Sequence, residues 1–247
     1  MDVYWVEQAE ADVPPTADWL SPPEAAHLDG LRFPKRRTDW RLGRWTAKRA
    51  LAEYLDCTGS RLAFGEIQIR PAPDGAPEVL LNGDPLPLSI SISHRAGIAL
   101  CTVAPGKAQL GCDLELAEHR SEAFLRDYFT PEEQGLLRRG QPATRSLLAT
   151  LFWSAKESVL KALRTGLRAD TRSVSVVAFG EVRSAGCGNW QPVLARLSNG
   201  VPFRGWWRAD ANLVRTILAL PAPRQPVMIR SLLEIPPRAC AGAIQVI

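Results

Sequence analysis

Two stretches decide how this chain is read: Gly111-Cys112-Asp113-Leu114-Glu115, and Phe152-Trp153-Ser154-Ala155-Lys156-Glu157-Ser158-Val159-Leu160-Lys161. In the first, carboxylates alternate with apolar residues. As a strand, it turns Asp113 and Glu115 to one face and Leu110, Cys112 and Leu114 to the other. The second lies inside a helical apolar pattern, Leu147, Leu148, Leu151, Val159, Leu160 and Leu163, that predicts a helix over 144–164 with Gly166 as its cap. Glu157 and Lys161 are four apart and share a face. Three acidic oxygen donors beside a lysine suit a hard divalent cation and an anionic substrate, the usual setting of Mg²⁺ on phosphate.

Working outward, Ser89-Ile90-Ser91-Ile92-Ser93-His94 alternates hydroxyl with isoleucine and predicts a strand with one polar and one apolar face. Strands are expected over 67–70, 98–103 and 108–115, so that a meander leads into the acidic pair. Thr130-Pro131-Glu132-Glu133 carries an N-cap, a first-turn proline and a glutamate at the third helical position, a strong helix start. Further strands are expected over 173–179, 190–197, 203–209 and 213–218. The proline-bearing stretch from Pro221 reads as an irregular tail.

A short helix is expected at Pro22-Pro23-Glu24-Ala25-Ala26-His27-Leu28, and a long one from Thr38 to Asp56, stopped by Thr58-Gly59. Along the long helix Arg37, Arg41, Arg44 and Lys48 recur on one face. No acidic residue interleaves on that stripe, which favours an anion-binding face over a solvated one.

Composition narrows the classes. A net charge of +4 with arginines clustered between Arg32 and Arg49 suits a small anionic ligand better than a duplex, and no nucleic-acid-binding motif is present. No segment is apolar enough to span a bilayer, and the acidic N-terminus lacks a signal peptide's pattern, so a cytoplasmic protein is expected. The cysteines Cys57, Cys101, Cys112, Cys187 and Cys240 are dispersed, arguing for buried thiols rather than disulfides or zinc. Phosphate-loop and dinucleotide fingerprints are absent.

Taken together, the motifs resemble those of the 4′-phosphopantetheinyl transferases, in particular the larger monomeric type that activates polyketide and nonribosomal peptide synthases. The family's Gly-x-Asp-x-Glu pattern matches Gly111, Asp113 and Glu115. Its Trp-Ser/Thr-x-Lys-Glu-Ser/Ala-x-x-Lys pattern matches Trp153, Ser154, Lys156, Glu157, Ser158 and Lys161. The Ser-x-Ser-His element appears as Ser91, Ser93 and His94, and the basic first helix as Gly43, Arg44 and Lys48. One departure is Gly75-Ala76-Pro77, where the family often has Gly-Lys-Pro.

The resemblance implies an α+β fold built as a pseudo-dimer of two similar halves, 1–108 and 109–247, with coenzyme A in the cleft between them. It implies a monomeric enzyme that transfers phosphopantetheine from coenzyme A to a serine of an acyl or peptidyl carrier protein, with neither nucleic acid nor membrane as partner. By similarity Asp113, Glu115 and Glu157 hold Mg²⁺, or Mn²⁺ in its place. Asp113, Glu157 and Lys161 are then the catalytic residues. Arg37, Arg44, Lys48, Ser93, His94, Lys156 and Lys161 are the coenzyme A contacts. The base that activates the serine is Glu157 or a hydroxide, and the residues leave both open. A relative that binds coenzyme A or a carrier without catalysis is the alternative. The stretch Glu118–Gln141, with Arg120, Arg126, Arg138 and Arg139 among Phe124, Leu125, Tyr128 and Phe129, is expected to dock the carrier.

Overall fold

In the computed structural model, residues 1–56, 64–182 and 188–229 are described, together with the backbone alone at 186 and 187. The first half contributes β1 (Tyr4–Ala9), α1 (Pro22–Gly30), α2 (Pro34–Asp56), β2 (Ile67–Pro71), β3 (Pro77–Leu81), β4 (Asp84–Pro85), β5 (Leu88–Arg95) and β6 (Ile98–Pro105). The second contributes β7 (Gln109–Leu116), α3 (Glu122–Tyr128), α4 (Pro131–Arg139), α5 (Pro142–Ala162), β8 (Val174–Phe179), β9 (Gly186–Leu197), β10 (Pro202–Asp210), β11 (Leu213–Leu220) and β12 (Val227–Met228). The architecture is α+β.

One sheet has the order β12-β1-β6-β5, a second the order β7-β11-β10-β9-β8, and a small third one β2-β3-β4. Helix α2 covers the first sheet, burying Ala47, Leu51 and Leu55 against Ile90, Cys101 and Val103. Helix α5 covers the second, burying Leu151, Val159 and Leu160 against Val214 and Leu218. A third cluster joins the halves: Trp5 and Leu100 from the first pack on Cys112, Leu114 and Ile217 from the second. Arg215 of β11 reinforces that junction, donating to both carboxylate oxygens of Glu7 in β1 at 2.5 and 2.8 Å.

Several expectations need correction. Strand β7 does not extend a meander: it leaves β6 and pairs with β11, Asp113 opposite Thr216. The polar and the apolar face of β5 are both covered, with Ser89, Ser91 and Ser93 buried as well as Ile90. The serines face the second half, where Ser91 Oγ accepts from the Cys112 N–H at 3.0 Å. The tail is not wholly irregular: β12 runs parallel to β1, Tyr4 opposite Val227. Helix α5 ends at Ala162, and the first left-handed residue after it is Arg164 (φ 59°), ahead of Gly166. Helix α2 begins one turn before the predicted start. Its predicted stop at Thr58-Gly59, Cys57, Cys240, the Cys187 side chain and the tail beyond Ile229 lie outside the described residues. Cys101 and Cys112 are buried and free.

Candidate active site at the junction of the two halves

Why the first motif contains glycine follows from packing. A Cβ on Gly111 would lie 1.8 Å from the Ser158 carbonyl oxygen and 2.9 Å from the Ala162 nitrogen, so β7 touches the backbone of α5 directly. The serines of the second motif serve the same contact. Ser154 and Ser158 place their hydroxyls 2.9 and 2.7 Å from Thr216 Oγ1 on β11, and Thr216 donates to the Ser154 carbonyl at 2.9 Å. Buried hydroxyls that satisfy one another fix the height and rotation of α5 over the sheet.

With α5 so fixed, Glu157 and Lys161 face β7. Lys161 Nζ donates to Asp113 Oδ1 at 2.7 Å, to Ser93 Oγ at 3.0 Å and to the Cys112 carbonyl at 3.1 Å. Ser93 Oγ in turn donates to Asp113 Oδ1 at 2.9 Å. Residues from β5, β7 and α5 therefore meet at one point. Glu115 accepts from Trp153 Nε1 at 3.1 Å. Its other oxygen lies 3.6 Å from Arg95 Nε and 3.5 Å from Arg120 Nη2.

The electrostatics follow from burial among like charges. Burial, then Asp113 and Glu115, push the Glu157 carboxyl up to about 7, against the pull of Lys161. Burial and Asp113 raise Glu115, while Trp153, Arg120 and Arg95 oppose them. Burial works against the Lys161 ammonium, but Asp113 and its other neighbours outweigh it and hold the lysine charged. His94 sits half-exposed at the rim with Nε2 3.9 Å from Asp39, and burial lowers its basicity.

One oxygen on each acid, Asp113 Oδ2, Glu115 Oε2 and Glu157 Oε1, is buried without a hydrogen-bond partner. Such oxygens are costly unless a cation or proton completes them. Glu115 Oε2 has the charges of Arg95 and Arg120 nearby, whereas Asp113 Oδ2 and Glu157 Oε1 lack an ion-pair contact among the described residues. This donor set fits a hard divalent ion, although among the described residues no three His, Cys, Asp or Glu side chains stand gathered as a ready-made metal centre.

Beside the acids opens a cleft of about 800 Å³. Its walls come from α1 (His27), α2 (Trp40, Arg44), the turn at Asp74–Pro77, β5 (Ser91), the end of α5 (Lys161) and the turn after it (Arg168). Arg44 stacks on Trp40 at 4.9 Å and donates to the Ile69 carbonyl at 2.7 Å. Arg164 reaches Asp74 Oδ2 at 3.4 Å, closing the cleft floor from the second half.

Several expected ligand contacts are not where the sequence reading put them. Lys48 and Lys156 are 0% exposed and ion-paired with Glu24 and Glu133 at 2.6 and 2.8 Å, so neither faces the cleft. Arg37 donates to the carbonyls of Leu28 and Leu31 at 2.5 and 3.2 Å, and Arg41 to those of Pro14, Pro15 and Thr16. The basic stripe thus ties down 14–31, and of its four members only Arg44 lines the cleft. Arg95 and Arg120 beside Glu115, and Trp153 as its donor, were not expected near the acids. Arg95 lies past the alternation of β5 and Arg120 falls in the expected docking stretch, so no spacing ties either to Glu115, while Trp153 belongs to the second motif without a role assigned to it there. In the expected docking stretch, Phe129 and Leu125 are buried. Phe124 stacks on Tyr128 and Trp153 at 4.7 and 5.0 Å, leaving Tyr128 and Arg126 exposed.

The model of the 4'-phosphopantetheinyl transferase superfamily matches residues 109–188 of the chain. The stretch that carries both motifs is thus the part of the chain similar to that superfamily. Two relatives extend the likeness. The 4'-phosphopantetheinyl transferase HetI of Nostoc sp. (strain PCC 7120) is 28% identical over 164 residues, 66% of this chain and 67% of that protein. The holo-[acyl-carrier-protein] synthase of Geobacillus sp. (strain WCH70) is 35% identical over 71 residues, 28% of this chain and 60% of that one. Among solved structures, the holo-(acyl-carrier-protein) synthase from Bacillus anthracis in complex with CoA (3',5'-ADP) has 21% identity and a TM-score of 0.35, covering 42% of this chain and 95% of that one.

Proposed function

We propose that this chain transfers the 4′-phosphopantetheine group of coenzyme A to a serine hydroxyl of an acyl or peptidyl carrier protein. The observation that carries this reading is the meeting of Ser93, Asp113 and Lys161 beside Glu115 and Glu157, next to a cleft with room for a nucleotide-sized ligand. In the reaction the serine oxygen attacks the β-phosphorus of the pyrophosphate. A new P–O bond to serine forms, the P–O bond to 3′,5′-ADP breaks, and the serine proton leaves.

Each residue has a task set by its surroundings. In the metal-free protein burial and Asp113 push the Glu157 carboxyl up to about 7, and its Oε1, when not spent on a cation, would take the serine proton. Lys161 is held charged by Asp113 and can follow negative charge onto the phosphoryl oxygens as the bond to ADP breaks. Arg44, which lines the cleft, would bind the phosphates of coenzyme A together with Ser93 and His94 at the acid end. Asp113, Glu115 and Glu157 would hold Mg²⁺, which when bound supplies charge neutralisation on the pyrophosphate. The same donors accept Mn²⁺.

The two halves, 1–108 and 109–247, are read as copies of one unit. Each runs β-strand, capped short helix, long helix, β-strand, with α3 as an extra short helix in the second half, and each packs its long helix on an antiparallel pair, β1–β6 or β7–β11. One chain supplies both walls of the cleft, so the enzyme is proposed to act as a monomer, and in the cytoplasm. A non-catalytic binder of coenzyme A is disfavoured, because such a protein gains nothing from acids near enough to one another to raise the Glu157 carboxyl. The test is intact-mass measurement of apo carrier domains from fatty acid, polyketide and peptide synthases after incubation with the chain, coenzyme A and Mg²⁺. One added phosphopantetheine arm is expected on at least one carrier. Binding of coenzyme A with no mass gain on any carrier would support the binder instead.

A further inference from the structure

The long helices of both halves carry the same buried device. Glu24 is the third residue of α1. Its Oε2 accepts from the Ser21 N–H at 2.9 Å and from Lys48 Nζ at 2.6 Å, and its Oε1 accepts from the Ile69 N–H in β2 at 3.0 Å. Glu133 is the third residue of α4. Its Oε2 accepts from the Thr130 N–H at 2.9 Å and from Lys156 Nζ at 2.8 Å, and its Oε1 accepts from the Val176 N–H in β8 at 2.8 Å. Each lysine then finds two carbonyls. Lys48 donates to Trp19 and Phe64 at 3.0 and 2.8 Å, and Lys156 to Thr171 and Val174 at 3.1 and 2.6 Å.

An ammonium has three donors, and in both lysines all three are spent inside the protein. Neither has one left for a phosphate. Buried ion pairs of this kind contribute little net stability relative to apolar packing, while the bonds they make are directional and tie several elements to one point. In the second half those elements are α4, α5 and the segment entering β8. The residue after Lys156 on α5 is Glu157.

We infer that Lys156 and Glu133 are positioning residues for transfer: their pair locks α5 so that Glu157 is presented to Asp113 and Glu115. The Lys48–Glu24 pair does the same for α2, presenting Arg44 to the cleft; Arg44 Nε lies 3.7 Å from Glu24. One device repeated in both halves thus serves two tasks, chemistry in one and ligand binding in the other. The inference rests on the reading of the chain as a transferase.

The test compares double variants that remove both partners of each lysine–glutamate pair together. Lys156→Met/Glu133→Gln is expected to lower kcat by roughly tenfold to a hundredfold, with the calorimetric Kd for coenzyme A within about twofold. Lys48→Met/Glu24→Gln is expected to weaken coenzyme A by about tenfold with kcat within about twofold. The single variants Lys156→Met and Glu133→Gln should each be at least as impaired as their double, since the residues act as one unit. Lys156→Met that weakens coenzyme A binding while keeping kcat would make this lysine a ligand contact and overturn the inference. Activity that falls only in step with the folded fraction, followed by circular dichroism, would make the pair a stability element and overturn it equally. A wild-type chain that transfers to no carrier rejects the transferase reading instead; the contrast in coenzyme A affinity between the two pairs is measured without turnover.

Discussion

Lys161 Nζ stands 2.7 Å from Asp113 Oδ1, although the two residues belong to different elements and neither is held there by its own chain neighbours. The distance is set by the close approach of α5 to β7 over Gly111 and by the hydroxyl cluster of Ser154, Ser158 and Thr216 beneath. The pair is the point from which the behaviour of the site can be tested.

Gly111→Ala attacks that approach directly. A methyl group 1.8 Å from the Ser158 carbonyl has no rotamer with which to escape, so helix and strand must part. Overpacking of this kind costs about 1–3 kcal/mol or more. Chemical denaturation should show that loss, and the folded fraction should transfer more slowly because Lys161 and Asp113 separate. Wild-type stability in this variant would mean that α5 and β7 are not in backbone contact.

The arginines of α2 should split. Arg44 lines the cleft, so Arg44→Ala should weaken coenzyme A by about tenfold, the loss of a hydrogen bond to a charged group. Arg37 and Arg41 are spent on carbonyls of 14–31. Their alanine variants should lose about 1 kcal/mol of stability each while coenzyme A affinity stays within about twofold. Calorimetry on the three variants decides, and equal weakening in all three would restore the whole stripe as an anion-binding face.

Glu157 makes the metal-free protein pH-sensitive. Its carboxyl titrates near 7 when folded and in the ordinary carboxylate range when unfolded. Between those values the folded state binds the extra proton, so this group's contribution favours folding at low pH and is lost as pH rises through about 7. The melting temperature measured without divalent ions should therefore fall over that window, and Glu157→Gln should flatten the fall. An unchanged slope in the variant would place the titrating group elsewhere.

Carrier docking should involve the exposed side of α3. Arg126 is 71% exposed and Tyr128 lies over Trp153, next to the Glu115 end of the site. Arg126→Glu should raise the KM for an acidic carrier several-fold, more at low salt, and leave that for coenzyme A unchanged. Unchanged carrier kinetics at low salt would move the docking surface away from α3.

What was legible in the sequence was local. The alternation in 111–115 and the apolar spacing in 147–163 placed the acids and Lys161 on facing surfaces, and the capping box at Thr130 marked the start of α4. What was not legible depended on partners far along the chain. Lys48 and Lys156 look like surface cations until Glu24 and Glu133 are brought to them. β5 looks half-exposed until the second half covers its serines. β1 carries Tyr4, Trp5 and Val6, but burial of both Trp5 and Val6 erases the alternation that reveals a strand. The two-residue β12 has too little pattern to be seen at all.

The central claim is that the three acids and Lys161 carry out phosphopantetheinyl transfer, and the Asp113→Ala variant tests it most directly. Asp113 anchors Lys161 and Ser93, and its other oxygen is one of the orphaned three. An apo carrier loaded by the wild-type chain should be incubated with the variant, coenzyme A and Mg²⁺, and weighed intact over time, with circular dichroism verifying the fold. The account predicts a folded variant whose loading rate is lower by at least about a hundredfold. A folded variant that loads the carrier at the wild-type rate would contradict it.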